Sequence, residues 1–140
     1  MLFTEFKNRL AKYVFFNERT TTLPTVYTLV LGNCQNTPNV DAQSFEECGI
    51  TEPSSGIGYE RKTLTASSAE MTFDNGIVSN ANTIEYGQST GNWGVITHAV
   101  LLDAQGKPCL YSPLSTNVEV NTGDVFRILP GNARFGFGDM

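Results

Sequence analysis

The residues of this 140-residue chain best suited to chemistry fall in one stretch, "WGVITHAVLLDAQGKPCLYS" at 93–112, with the only tryptophan, the only histidine and one of three cysteines. An imidazole serves as base, relay or ligand when a second group orients it. Asp103 stands five residues beyond His98, about 16 Å along an extended strand and on the opposite parity, too far to bond the ring. Cys109 follows a turn and comes back toward the histidine. In such apolar surroundings the favoured reading is a buried imidazole satisfied by a threonine or a backbone group. Trp93, beside Gly94, offers a face for a sugar or a base, against a packing role at the mouth of a strand.

The remaining candidates are sparser. Cys34, Cys48 and Cys109 form no C-x-x-C pair, and with a single histidine they make no zinc ligand set. Free thiols are expected, with a Cys34–Cys48 bridge as the alternative. Glu46 and Glu47 are adjacent carboxylates in a polar segment, where solvated surface is the default. There is no P-loop, G-x-S-x-G or H-E-x-x-H, and "GIGYER" has glycines but no helix after it to cradle a phosphate. No catalytic residue, cofactor-binding residue or metal ligand is assigned, and the chain reads as non-enzymatic.

Nine basic against fourteen acidic residues give a net charge of −5, which repels a nucleic-acid backbone. The charge is uneven: Lys7, Arg9, Lys12 and Arg19 face only Glu5 and Glu18 within residues 1–19, so one end is basic and suited to a partner. Residues 1–16 lack the uninterrupted apolar core of a signal peptide, and no run approaches the length of a membrane span. Neither a membrane partner nor export by the general route is expected.

The elements that position these residues read as one helix followed by strands. In "LFTEFKNRLAKYV", Phe3, Phe6, Leu10 and Tyr13 recur at three- and four-residue steps with Lys7, Arg9 and Lys12 between them, an amphipathic helix over about 2–16. "TVYTLVLG" is a β-rich run, whereas 33–57 is polar, acidic and turn-rich, a long surface loop. "GYERKTLT" alternates as a half-exposed strand with Tyr59, Arg61, Thr63 and Thr65 on one face. Turn dipeptides at Asp74, Asn75 and Gly76 mark a hairpin. In "GVITHAVLL", Val95, Thr97, Ala99 and Leu101 share one face and Ile96, His98, Val100 and Leu102 the other, both largely apolar, with the front helix covering the second face. "DAQGKP" is the next hairpin loop, and "VEV", "DVFRIL" and "ARFGF" follow as strands parted by Pro113, 121–123 and 130–132. The expectation is a single domain over 1–140, mainly β, an antiparallel β-sandwich or barrel of about eight short strands with one N-terminal amphipathic helix.

Taken in order, "PTVYTLVL", "TEPSSGIGYERKTL", "WGVITHAVLLDAQGKPCLYSPL" and "NTGDVFRI" resemble a family of small virion structural proteins of tailed bacteriophages, often labelled tail-fibre or minor structural proteins. The resemblance runs over roughly 1–130 through the W-G-x-I-T-H and T-E-P-S-x-G-x-G-Y-x-R patterns. It implies architectural roles for Trp93, Gly94, Thr97, His98, Asp103, Tyr59, Arg61, Gly123 and Asp124, and no cofactor. Candidate partner contacts are Phe3, Phe6, Leu10 and Tyr13 on the helix and Cys34, Glu46, Glu47, Cys48 and Glu52 in the long loop. A fibre normally carries a repetitive or coiled-coil shaft, absent from these residues, so a capsid decoration or cement subunit on the particle exterior is expected first. A tail or tail-fibre accessory adaptor is the alternative, and a glycan-binding module using Tyr86 and Trp93 of the 85–93 loop the third reading. A homo-oligomer contacting other virion proteins, assembled in the host cytoplasm, completes the expectation.

Overall fold

A computed structural model describes residues 1–18 and 23–137. Arg19, counted in the basic head, the threonines at 20–22 and the last three residues of "RFGFGDM" lie outside the described residues.

The amphipathic stripe produces a helix, α1, over Thr4–Phe15. It begins two residues later than its apolar spacing suggests, and the difference changes where Phe3 goes. Leu2 and Phe3 are extended and pair with the outer edge of a later strand: Leu2 bridges Leu110, and the Phe3 N–H donates to the Cys109 carbonyl at 2.9 Å. Successive residues of an extended chain point to opposite faces. Leu2 accordingly enters the main core and Phe3 a second one, edge-on to Tyr111 at 5.6 Å.

Among the described residues nine strands follow. They are β1 Val26–Gly32, β2 Lys62–Thr65, β3 Met71–Asp74, β4 Ile77–Asn80, β5 Ile84–Glu85, β6 Gly94–Leu102, β7 Pro108–Val120, β8 Arg127–Ile128 and β9 Arg134–Gly136. All pairings are antiparallel: a four-stranded sheet ordered β2-β1-β6-β7, a three-stranded sheet β3-β4-β9 and a ribbon β5-β8. The mainly β class with an N-terminal helix, consistent with a sandwich, is thus the architecture found. The β3–β4 hairpin turns on Asn75 and Gly76, both with positive φ, the geometry a two-residue turn between twisted strands requires.

The main core lies between the four-stranded sheet and the two smaller ones, with Leu29, Leu31, Ala99 and Leu101 meeting Ile84, Ile128 and Phe135. Phe6 of α1 joins this side. The other face of the large sheet, carrying Val30, Val100 and Leu102, is covered by Cys34, Ala42, Phe45, Cys48 and Ile50. The cover of the second face is therefore the long loop and not the helix, whose Phe6 is already committed to the first face. That loop is no loose excursion: it contains a 3-10 turn over Phe45–Cys48 and closes on itself through paired Asn33 and Thr51 backbone bonds at 2.8 Å.

Two strand readings change as well. Ile96 pairs with Val118 but His98 with Pro113, leaving residues 114–117 of β7 as a bulge. The irregularity resets the alternation, so Ile96 packs with Ala99 and Leu101 instead of with Val100. Pro113 does not end a strand; it sits inside β7, an edge strand of its sheet, where a missing N–H is tolerated. In β2 only Leu64 turns inward, while Tyr59 is buried from a segment before the strand starts.

Candidate functional site

Trp93 sits at the entry to β6, and its Nε1–H donates to the Ile57 carbonyl at 2.9 Å. Tyr59 and Tyr86 each meet its ring edge-on, at 5.4 and 5.7 Å between centroids, and Phe126 closes the group at 6.2 Å. Such ring contacts contribute about 0.5–1.5 kcal/mol each beyond burial. The polar end of Tyr59 is also tied down, whereas the buried Tyr86 hydroxyl has no hydrogen-bond partner among the described residues. Tyr59 donates its hydroxyl to Glu52 at 2.6 Å and accepts the Leu31 N–H at 3.2 Å. Arg61 grips both oxygens of Glu52 at 3.0 Å and lies over the Phe45 ring. Burial, then the bond to Glu52, pushes the Tyr59 hydroxyl far above its ordinary pKa. Tyr86 is 2% and Trp93 6% exposed, so neither presents a ring face to a sugar.

His98 is buried on β6 with its Nδ1 2.8 Å from the Thr97 hydroxyl. A hydroxyl beside an imidazole is the first half of a nucleophile–base couple, but this hydroxyl is engaged: it accepts the Cys34 N–H at 2.8 Å. The Gly32 and Cys34 carbonyls also lie within its reach, at 3.5 and 3.3 Å. The pair thus fastens the start of the long loop to the central strand. Burial holds the His98 pKa below its ordinary value.

Asp103, 4% exposed, joins two elements. Its Oδ1 accepts the Gln105 and Lys107 N–H groups at 2.9 Å within the β6–β7 turn, and its Oδ2 meets Arg9 of α1 at 3.0 Å. Gly123 and Asp124 form another turn: the Gly123 N–H donates to the Ser89 carbonyl at 2.8 Å, and the Asp124 carboxylate accepts the Asn121 N–H at 2.8 Å. Gly94 opens β6 in the left-handed region, with φ +83.

The nine residues read as partner contacts divide sharply. Phe3, Phe6, Cys34 and Cys48 are inside the chain's own cores. Leu10 and Tyr13 are half-buried, Glu52 is held by Arg61 and Tyr59, and only Glu46 and Glu47 face solvent. All three cysteines are free and buried. Burial pushes the thiols of Cys48 and Cys109 up to about 11 and about 12. Among the described residues no cluster of His, Cys, Asp or Glu is placed to hold a metal ion, and no helix is long and apolar enough to cross a membrane.

The exposed apolar surface lies elsewhere. Val14, Phe15 and Phe16 stand out at the end of α1, Phe73 at the β3–β4 hairpin, and an apolar groove of about 440 Å³ opens between α1 and that hairpin. Sequence reasoning passed over Phe15 and Phe16 because they fall off the helical stripe. The available signal was the run "VFF" against a turn-forming asparagine. What this arrangement offers is contact surface: Trp93, Tyr59, Arg61, Thr97, His98 and Asp103 spend their polar atoms holding one element to another, and the Tyr86 hydroxyl is buried with no hydrogen-bond partner among the described residues.

None of the curated proteins matches the chain. Residues 4–135, nearly its whole length, match the family described as "Podophage GP4 fiber I protein gp80", and the chain belongs to that family of phage virion structural proteins.

Proposed function

We propose that this chain is a non-enzymatic structural subunit of a podophage tail, seated at or beside a fibre on the particle exterior and held by surface contacts rather than by a ligand pocket. The observation that carries this reading is the match to a fibre protein family over residues 4–135. It favours the tail-fibre accessory over the capsid decoration subunit, for which the lack of a shaft in the sequence was the only ground. The geometry supports the absence of catalysis: His98, Asp103, Tyr59 and Arg61 all bond within the chain, linking loop to strand, helix to turn and the long loop to the segment before β2. The glycan reading loses its two aromatic residues to the core. Association with other virion proteins, self-association and assembly in the host cytoplasm belong to the same proposal.

Mass spectrometry of purified particles, before and after the fibres are sheared away, tests it. The protein should be present at fixed stoichiometry in intact particles and depleted with the fibres. Its retention on fibreless capsids would restore the decoration reading, and its absence from particles would end both.

A further inference from the structure

Two features at the helix end of the molecule are unused within one copy. The first is a plug: Phe15 and Phe16 are 79% and 71% exposed, with Val14 beside them at 59%. Adjacent positions on a helix face different ways, so no single seating of α1 on its own sheet covers both rings. The second is the groove of about 440 Å³, floored by Leu101 and Leu110 and walled by Phe6 and Leu10 on one side and Met71 and Phe73 on the other. Here the main core is open to solvent, with Phe73 at the rim 64% exposed.

We propose that Phe15 and Phe16 of one copy insert into this groove on a second copy, and that the exchange is reciprocal. The inference deepens the structural-subunit reading and rests on it for its setting in a particle, while the contact itself belongs to the purified chain. Three observations favour a second copy as the occupant. The exposed parts of the two rings amount to about 300 Å², and groove walls losing a similar area bring one insertion to roughly 600 Å². A reciprocal pair then buries about 1,200 Å², the lower bound for a stable interface, which a one-way contact does not reach. Charge is matched too. Lys12, one turn before Phe16, and Asp74, next to Phe73, have no ion pair among the described residues. Finally, α1 both lines the groove and carries the plug, so a two-fold axis between copies brings each plug to the other's groove.

Sedimentation of the purified full chain over a concentration series is the first arm, comparing wild type, Phe15→Ser with Phe16→Ser, and Phe73→Ser. The changed residues are exposed, and circular dichroism checks that the fold is kept. Wild type should dimerise reversibly, and both variants should raise the dissociation constant by at least about thirtyfold. A photo-crosslinking phenylalanine analogue in place of Phe16 is the second arm. It should label residues 66–78 of the other copy in isotope-mixed samples. A monomeric wild type, an oligomer indifferent to either variant, or crosslinks confined to other regions would overturn the proposal. Loss of the dimer contact with incorporation intact, or the reverse, separates its failure from that of the tail assignment.

Discussion

Removing the Asp103 carboxylate should unfasten helix and turn together. At 4% exposure the side chain serves three donors: two turn N–H groups at 2.9 Å on Oδ1 and Arg9 at 3.0 Å on Oδ2. Breaking a buried ion pair from one side costs about 3–5 kcal/mol, because the remaining charge stays desolvated. Two features reduce that here. Arg9 keeps Glu5 at 3.1 Å, and the exposed turn residues Gln105 and Lys107 let water reach their N–H groups. We expect Asp103→Ala to destabilise by about 3 kcal/mol, the lower edge of that range. Asp103→Asn keeps a carbonyl oxygen for the turn and loses the charge and the acceptor that face Arg9, so about half that cost is expected. For a chain of this size 3 kcal/mol lowers the melting temperature by about 10 °C. Urea unfolding followed by the fluorescence of Trp93, the single tryptophan, reads both values, with an unchanged denaturant slope as the check that the unfolded state is the same. A cost below about 1 kcal/mol for Ala, or equal costs for Ala and Asn, would refute the division of labour assigned to the two oxygens.

Other outcomes follow from the same contacts. Because burial lowers the His98 pKa from 6.5, the unfolded chain binds more protons below that value, so stability is full above about pH 6.5 and falls as the pH drops through the folded pKa. His98→Gln should flatten this part of the profile in urea titrations at pH 5.5 and 7.5; an unchanged slope would contradict it. With thiols raised to about 11 at Cys48 and about 12 at Cys109, a thiol reagent at pH 8 should react slowly with native protein and with three thiols in urea. Stability should decline above about pH 9, where the unfolded thiols ionise first. Gly58 has φ +88, and an added Cβ would sit 2.5 Å from the Gln88 carbonyl oxygen, while Gly94 at φ +83 has open space. Gly58→Ala should therefore prevent folding or cost several times the roughly 1 kcal/mol of backbone strain expected for Gly94→Ala, as equilibrium unfolding would reveal.

Features governed by local rules were legible in the sequence. The turn at Asn75 and Gly76, the turn ending β6 at Asp103, the two-sided burial of β6 and the helical stripe of Phe6 and Leu10 each follow from a few neighbouring residues. Features set by distant partners were not. Phe3 fits a helical period, and only its bond to Cys109 makes it a strand residue on the opposite face from Phe6. The 33–57 segment shows no periodicity because its buried residues, Cys34, Ala42, Phe45, Cys48 and Ile50, reach the sheet through a 3-10 turn and irregular backbone. The bulge at 114–117 depends on how β7 meets β6, so the regrouping of Ile96 with Ala99 left no local trace. Of the residues expected at an interface for hydrophobicity on the stripe, Phe3 and Phe6 are in the core and Leu10 and Tyr13 are half-buried. The exposed rings of Phe15 and Phe16 lie beside the stripe, where a periodicity argument discards them.

The central claim, a structural role at the tail fibre without chemistry of its own, is tested most directly by electron cryo-microscopy of intact virions. The account predicts density for the mainly β body on the tail, at or beside a fibre, with its contacts made by surface residues. Density for this chain only on the capsid lattice, or none anywhere in the particle, would contradict it.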